Sequence, residues 1–250
     1  MERRWAVVSG GGTGIGRAVA RTLAADGTGV VILGRREEVL RRAADELNSG
    51  AGTGPVHPVV ADLRDPAGVE RAAGHIARLA PAVDVLVNNA GCNVAPSPHT
   101  DLAGVRADWE ANLSGNILPV VLLTQALLDR LRRPGGRVVT ITSVAAFRGP
   151  ASYGGAKAAL HVWSAELAAA LAPERITVNA IAPGYVEDTE FYGERMNPEF
   201  HRGRAAQART GRATTPQEIA GLVRYLAGAE AGQITGQVLH VNGGALLGRQ

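Results

Sequence analysis

Trp5-Ala6-Val7-Val8-Ser9-Gly10-Gly11-Gly12-Thr13-Gly14-Ile15-Gly16 runs from a short apolar segment into a glycine cluster, and a helical pattern follows over 14–26. Glycines at a strand-to-helix turn let phosphates approach the backbone, and the helix start offers free N–H groups and positive dipole. The spacing is Gly-x-x-x-Gly-x-Gly, and no Lys-Ser/Thr follows it, which excludes the phosphate loop of NTPases. Gly10, Gly12, Thr13, Gly14, Ile15 and Gly16 are therefore candidate contacts for a dinucleotide pyrophosphate. Outward from this turn, apolar runs alternate with amphipathic ones. Strands are expected at 5–9, 30–33, 56–61, 83–88, 137–142, 176–181 and 237–241, and helices at 14–26, 36–48, 66–79, 102–132, 152–171 and 216–227. Several strands are nearly continuous in Val, Ile and Ala, as in parallel sheets covered on both faces. Strict alternation predicts one α/β domain over 1–250, a doubly wound parallel sheet of about seven strands with helices on both faces. Residues 185–215 show no clear periodicity and are rich in Arg, Glu and Gly; a loop that long in a compact domain reads as a substrate lid.

Composition narrows the function classes. The 250 residues are 46% hydrophobic and 20% charged, with net charge +3, an ordinary globular balance. Basic residues are interleaved with acids, so no block tracks a nucleic-acid backbone. A single cysteine, Cys92, excludes an internal disulfide and fits a reducing compartment. No signal-peptide pattern and no apolar run of membrane-spanning length stands out, so a soluble cytoplasmic protein is expected. The six histidines lack ligand spacing, which predicts no metal site, and Gly-x-Ser-x-Gly is absent, which removes support for a hydrolase.

The ends of the strands test what binds. After the second strand stands Gly34-Arg35-Arg36, where an acidic residue would hold the ribose 2′-hydroxyl of NAD. Arg35 or Arg36 can fork onto a 2′-phosphate, which points to NADP(H) over NAD(H); the plainer reading is a pair of solvated helix-start charges. Asp62-Leu63 follows the third strand, where the carboxylate would accept from an adenine amino group or serve as a turn or cap residue. Asn88-Asn89-Ala90-Gly91 ends the fourth strand, and its Asn pair either borders the cofactor, ties strands together, or does both.

Lys157 is the only lysine among 26 Lys and Arg residues, so it answers a need that arginine does not meet. Tyr153 precedes it by four residues, on the same face of a helix. An ammonium beside a phenol favours phenolate, which makes the pair a proton-transfer device. Ser143 lies ten residues before Tyr153, at the carboxyl end of the fifth strand, placed to donate to a substrate oxygen. Thr142 should face away by strand alternation.

Taken in order, Gly10-x-x-x-Gly14-x-Gly16, Asn88-Asn89-Ala90-Gly91, Ser143, Tyr153-x-x-x-Lys157 and Pro183-Gly184 resemble the short-chain dehydrogenase/reductase family, over essentially the whole length. The resemblance is strongest to 3-oxoacyl-thioester reductases, including the closing Ile234-Thr235-Gly236-Gln237. It implies a Rossmann-type fold and an NAD(P)-dependent oxidoreductase in which Tyr153 is the general acid/base. Asn112, Ser143, Tyr153 and Lys157 form the implied catalytic set. Asn112 would hold a proton-relay water on its main-chain carbonyl; Asn116 lies nearby, but the Asn-x-x-Gly spacing favours Asn112. Lys157 would also contact the nicotinamide ribose. Asp62, Leu63, Asn89, Ala90 and Gly91 would border the cofactor, and Pro183, Gly184, Val186 and Thr189 would pass its nicotinamide end. Relatives carry a Thr five residues after the proline, where this chain has Asp188, with Thr189 next.

The substrate is expected to be a ketone or an acyl thioester, free or borne by an acidic carrier protein. Ser143, Ala145, Tyr153, Tyr185, Phe191 and Tyr192 are its candidate contacts, with Val94, Phe147, Arg148 and Met196 flanking. Arg130, Arg132 and Arg133 would dock such a carrier or complement a helix C-terminus. Relatives are usually homotetramers packed through the 102–132 and 152–171 helices. An NAD-dependent alcohol or sugar dehydrogenase and a catalytically silent cofactor-binding scaffold are the alternative readings.

Overall fold

Seven apolar runs become seven parallel strands of one sheet: β1 (Trp5–Ser9), β2 (Gly29–Gly34), β3 (Val56–Val60), β4 (Val85–Asn88), β5 (Arg137–Ile141), β6 (Thr177–Pro183) and β7 (Val238–Val241), in the order β3-β2-β1-β4-β5-β6-β7. The computed structural model describes residues 3–50, 54–94, 101–149, 151–195 and 197–247; Met196 and the side chain of Tyr192 lie outside the described residues. The order reverses between β1 and β4, so ligands are received at the carboxyl ends of these two strands.

Alternation along each strand feeds two separate cores. Ala6 and Val8 of β1, with Val30 and Ile32 of β2, pack on α1 (Gly14–Ala25), α2 (Glu37–Asn48) and α9 (Pro216–Ala227). Val7, Val31 and Leu33 point the other way, to α3 (Pro66–Leu79) and to α5 (Leu118–Leu127). Both faces are covered, which is why the strands tolerate no polar alternation.

Helix starts follow local chemistry. Asp65 caps α3 by accepting from the backbone N–H groups of Ala67 and Gly68, with Pro66 in the first turn. Thr215 and Glu218 close a capping box on α9.

Two expectations need correction. The single helix expected over 102–132 is two helices, α4 (Leu102–Asn116) and α5, followed by a 3₁₀ turn, Leu128–Arg130. Pro119 explains the break: it lacks an N–H and its ring would strike the carbonyl of residue 115 in a continuous helix. The combined run Leu102–Arg130 is long and apolar enough to cross a membrane by length and composition. Its apolar residues instead divide between core positions such as Leu123 and Leu127 and an exposed set on α4. The lid segment, expected to be irregular, holds a 3₁₀ stretch, Glu190–Arg195, and α8 (Pro198–Ala205), which Asn197 caps through the Phe200 N–H. Between β5 and β6 lie α6 (Ala145–Arg148) and the long α7 (Ala151–Leu171).

Candidate active site

The glycine turn lies at the switch point. A Cβ at Gly16 would collide with the Gly10 carbonyl oxygen, so the first turn of α1 closes directly onto the loop before it. Ser9 and Asn89 hold that loop to the end of β4: Ser9 Oγ accepts from the backbone N–H of Asn89 (2.9 Å) and of Ala90 (3.0 Å), and Asn89 Nδ2 donates to the carbonyls of Ser9 and Gly10. Asn88 turns the other way and donates to Thr124 Oγ1 at 2.8 Å. Thr13, the residue before α1, makes no side-chain cap, and the first turn carries no acid. The N–H groups at this helix start thus remain open to an anion, which fits a dinucleotide pyrophosphate.

At the ends of β2 and β3 the site is charged and exposed. Arg36 precedes α2, whose first turn carries Glu37 and Glu38 and so offsets the cations at a positive dipole. Arg36 Nη2 lies 2.6 Å from Glu190 Oε2. Asp62 accepts from the Arg64 backbone at 3.0 Å and from its guanidinium, and this contact holds the carboxyl at about 2, well below the usual range. Asp62 is thus a turn residue paired with Arg64, while Asp65 does the capping.

The catalytic candidates converge at the carboxyl end of β5. Tyr153 and Lys157 are both buried on α7, 6% and 4% exposed, with Lys157 Nζ 5.9 Å from the Tyr153 ring centroid. Lys157 Nζ donates to the Ile141 carbonyl at 3.2 Å. No carboxylate among the described residues pairs with it, and burial pushes its ammonium down to about 8. Ser143 Oγ accepts from the Ala145 backbone N–H at 3.1 Å, which leaves its hydroxyl proton for an external acceptor. Thr142 faces elsewhere: its hydroxyl donates to the Ile181 carbonyl and meets His161 Nε2 at 3.0 Å.

Asn112 and Asn116 answer why α4 carries asparagine in its interior, where it is a poor helix former. Both are fully buried. Asn112 accepts from the Val94 N–H (3.2 Å) and donates to the Val94 carbonyl (2.9 Å); Asn116 does the same with Cys92, at 3.3 and 2.9 Å. Four helical residues rise about 6 Å and two extended residues about 6.6 Å, so amides one turn apart match alternate residues of an extended chain. Gly115 permits the approach, since a Cβ there would collide with Cys92 Sγ. Asn112 Nδ2 also donates to Ser152 Oγ at 3.0 Å, linking this clamp to the residue before Tyr153. Asn116 Nδ2 donates to the Asn112 carbonyl at 2.9 Å, so one acceptor direction of that carbonyl is already used. The sequence reading set Asn116 aside; its i+4 relation to Asn112 was the available signal.

Residues of the 185–215 segment reach both ends. The Thr189 methyl lies over Gly14, 3.2 Å from where a Cβ would stand there, and Asp188 takes the left-handed backbone region at φ 53. The Phe191 ring packs at 5.7 Å on Tyr153. Tyr185, expected beside substrate, gives its hydroxyl to a 2.9 Å hydrogen bond with His201 Nδ1 on α8. A cavity of roughly 670 Å³ separates the lid from α1, lined by Thr13, Gly14, Arg17, Tyr185, Thr189, Asn197 and His201 among others. Gly184 packs against Asn242, and Val186 bridges to Thr214, so the chain beyond Pro183 is fixed before the lid begins. Of the basic residues after α5, Arg132 pairs with Asp84, while Arg133 pairs with Glu174 and donates to the carbonyls of Leu128 and Leu131. These two therefore serve the helix end and its neighbours.

This fold and this arrangement define an NAD(P)-dependent oxidoreductase, and the chain belongs to the short-chain dehydrogenase/reductase family. A family model described as Enoyl-(Acyl carrier protein) reductase matches residues 10–245. The chain is 34% identical over 250 residues to a 3-oxoacyl-[acyl-carrier-protein] reductase FabG of Aquifex aeolicus, covering 98% of both. Among solved structures it is similar to a Pseudomonas aeruginosa RhlG/NADP complex, at 34% identity and TM-score 0.86, covering 97% of this chain and 96% of the other. An actinorhodin polyketide ketoreductase with NADPH matches at 30% identity and TM-score 0.84, covering 97% of each.

Proposed function

We propose that the protein is an NADP(H)-dependent ketone reductase acting on a 3-oxoacyl thioester or a related keto substrate, with residues 185–215 as the lid of a single domain. The observation that carries this reading is a buried lysine, without a carboxylate partner among the described residues, held one helical turn from a buried tyrosine. Leaving a buried ammonium unpaired costs stability, so its retention points to chemistry.

The bound nicotinamide cofactor supplies the hydride. Tyr153 gives its proton to the ketone oxygen, and the Lys157 ammonium stabilises the phenolate left behind. Ser143, which accepts from the Ala145 N–H and keeps its own proton, donates to the same oxygen as negative charge develops there. The Asn112–Asn116 clamp fixes the wall at residues 92–94, and the Phe191 ring packs on Tyr153. Gly10 to Gly16 hold the pyrophosphate, Asn89, Ala90 and Gly91 border the cofactor, and Arg35 and Arg36 take the 2′-phosphate. Relatives named as carrier-protein reductases support a thioester substrate, and the same kinship is the ground for reading the protein as a cytoplasmic homotetramer.

The test is NADPH oxidation across β-ketoacyl thioesters, cyclic ketones and sugars, run beside Lys157→Arg. Turnover on at least one ketone class, lost in Lys157→Arg, supports the reading. Full activity in Lys157→Arg would show that charge alone suffices, and silence across the whole panel with cofactor bound would favour a scaffold.

A further inference from the structure

Cofactor and lid meet at Arg36. Its ion-pair partner, Glu190, lies 154 positions away and directly follows Thr189. Three consecutive lid residues thus reach three parts of the site: Thr189 covers Gly14 at the start of α1, Glu190 holds Arg36 at the start of α2, and Phe191 packs on Tyr153. Arg36 stands at the end of β2, where a dinucleotide of this fold places its ribose.

The Arg36–Glu190 pair is weak by construction. Its side chains are 60% and 59% exposed. Exposed pairs of this kind contribute little. A 2′-phosphate brings more charge and more acceptor oxygens to the same guanidinium, and charge-assisted forked contacts are the stronger kind. Two anions on one guanidinium repel each other. Arg35, next door, is exposed; with Arg64, the main cause, it draws the Asp62 carboxyl down through its charge, and it remains to receive the phosphate first.

We propose that Glu190 is a cofactor-specificity residue: its carboxylate competes with the 2′-phosphate of NADP(H) for Arg36, so NADP(H) releases the 189–191 segment while NAD(H) leaves it clasped. The proposal rests on the reading of Arg36 as a 2′-phosphate ligand. It gives the lid a means to register which dinucleotide is bound.

The experiment is calorimetric titration of the full chain with adenosine 2′,5′-bisphosphate and with AMP, in the native protein, Glu190→Gln and Arg36→Gln. Glu190→Gln should tighten the bisphosphate about two- to fivefold and leave AMP unchanged. Hydrogen exchange at 189–191 should quicken when the bisphosphate binds and not when AMP binds. Equal effects of Glu190→Gln on both ligands, or none on either, overturn the proposal. Arg36→Gln separates the two layers. If it leaves the preference for the bisphosphate intact, Arg36 is no phosphate ligand and both readings fall. If it lowers that preference while Glu190→Gln does nothing, only the clasp falls.

Discussion

The two ends of the cleft are built by opposite means. At the nicotinamide end, Asn112, Asn116, Ser152, Tyr153 and Lys157 are buried, and amide and hydroxyl contacts tie α4, α7 and residues 92–94 together. At the ribose end, Arg36, Glu190, Asp62 and Arg64 are exposed ion pairs on strand ends and lid. A buried polar group left unpaired costs several times what an exposed pair contributes, so the first region is rigid and intolerant while the second is soft and adjustable. Under the proposed function, chemistry belongs to the stiff half and discrimination between cofactors to the half that can change partners.

The largest expected effect that sharpens this contrast is Tyr153→Phe. It should lower kcat about 10²- to 10⁴-fold, the usual worth of a positioned acid, with cofactor affinity and melting temperature near native. Comparable rates in the variant would remove the stiff half from the chemistry.

Lys157→Met comes next, and it separates function from stability. The lysine's folded value, about 8, lies below its ordinary 10.5 because burial disfavours the charge. Below pH 8 it is protonated in both folded and unfolded chains, and its burial costs about 3 kcal/mol. Between pH 8 and 10.5 the unfolded chain binds the extra proton, so native stability rises with pH. Lys157→Met should thus lower turnover by less than Tyr153→Phe does, while gaining about 2–3 kcal/mol at neutral pH, a gain that fades as pH climbs past 8. Denaturant melts across pH 6–10.5 measure it; a variant less stable at pH 7 contradicts the assignment of the penalty.

Asn116→Ala should cost about 1–3 kcal/mol in unfolding free energy, because the Cys92 N–H and carbonyl lose their buried partner. It should also raise hydrogen exchange at 91–94. If exposed-loop behaviour is seen instead, with a loss near zero, the clamp is not a clamp. Smallest is Arg35→Ala, expected to weaken NADP(H) by about 1 kcal/mol or less in KM terms, to leave NAD(H) alone and to leave the melting temperature unmoved. A fall in stability there would place Arg35 in the wrong half.

Legibility followed the same division. Strand positions came through because short Val- and Ile-rich runs, bounded by turn residues and alternating with helical patterns, suit a covered parallel sheet. The Tyr153–Lys157 pair was visible because helical spacing of four is local and the lone lysine stood out. The break at residue 117 was missed although Pro119 marks it: the proline counts against a membrane span, and the same residue also ends a helix. Asn116 was missed because its partners, Cys92 and residue 112's carbonyl, are brought to it only by the packing of α4 against the β4 end. Arg36 was readable as a cation at the right strand end. That Glu190 holds it was not, since no local rule relates residues 154 positions apart.

By itself, then, the sequence determined the layered architecture, the glycine turn and the proton-transfer pair, because each depends on short-range periodicity or on residue type at a chain-local spacing. The tertiary structure alone decided which amide clamps which backbone, which cation is already engaged, and which lid residue lies over Gly14. Those are long-range contacts, fixed when helices and lid pack on the sheet and polar groups find partners at the distances packing leaves them.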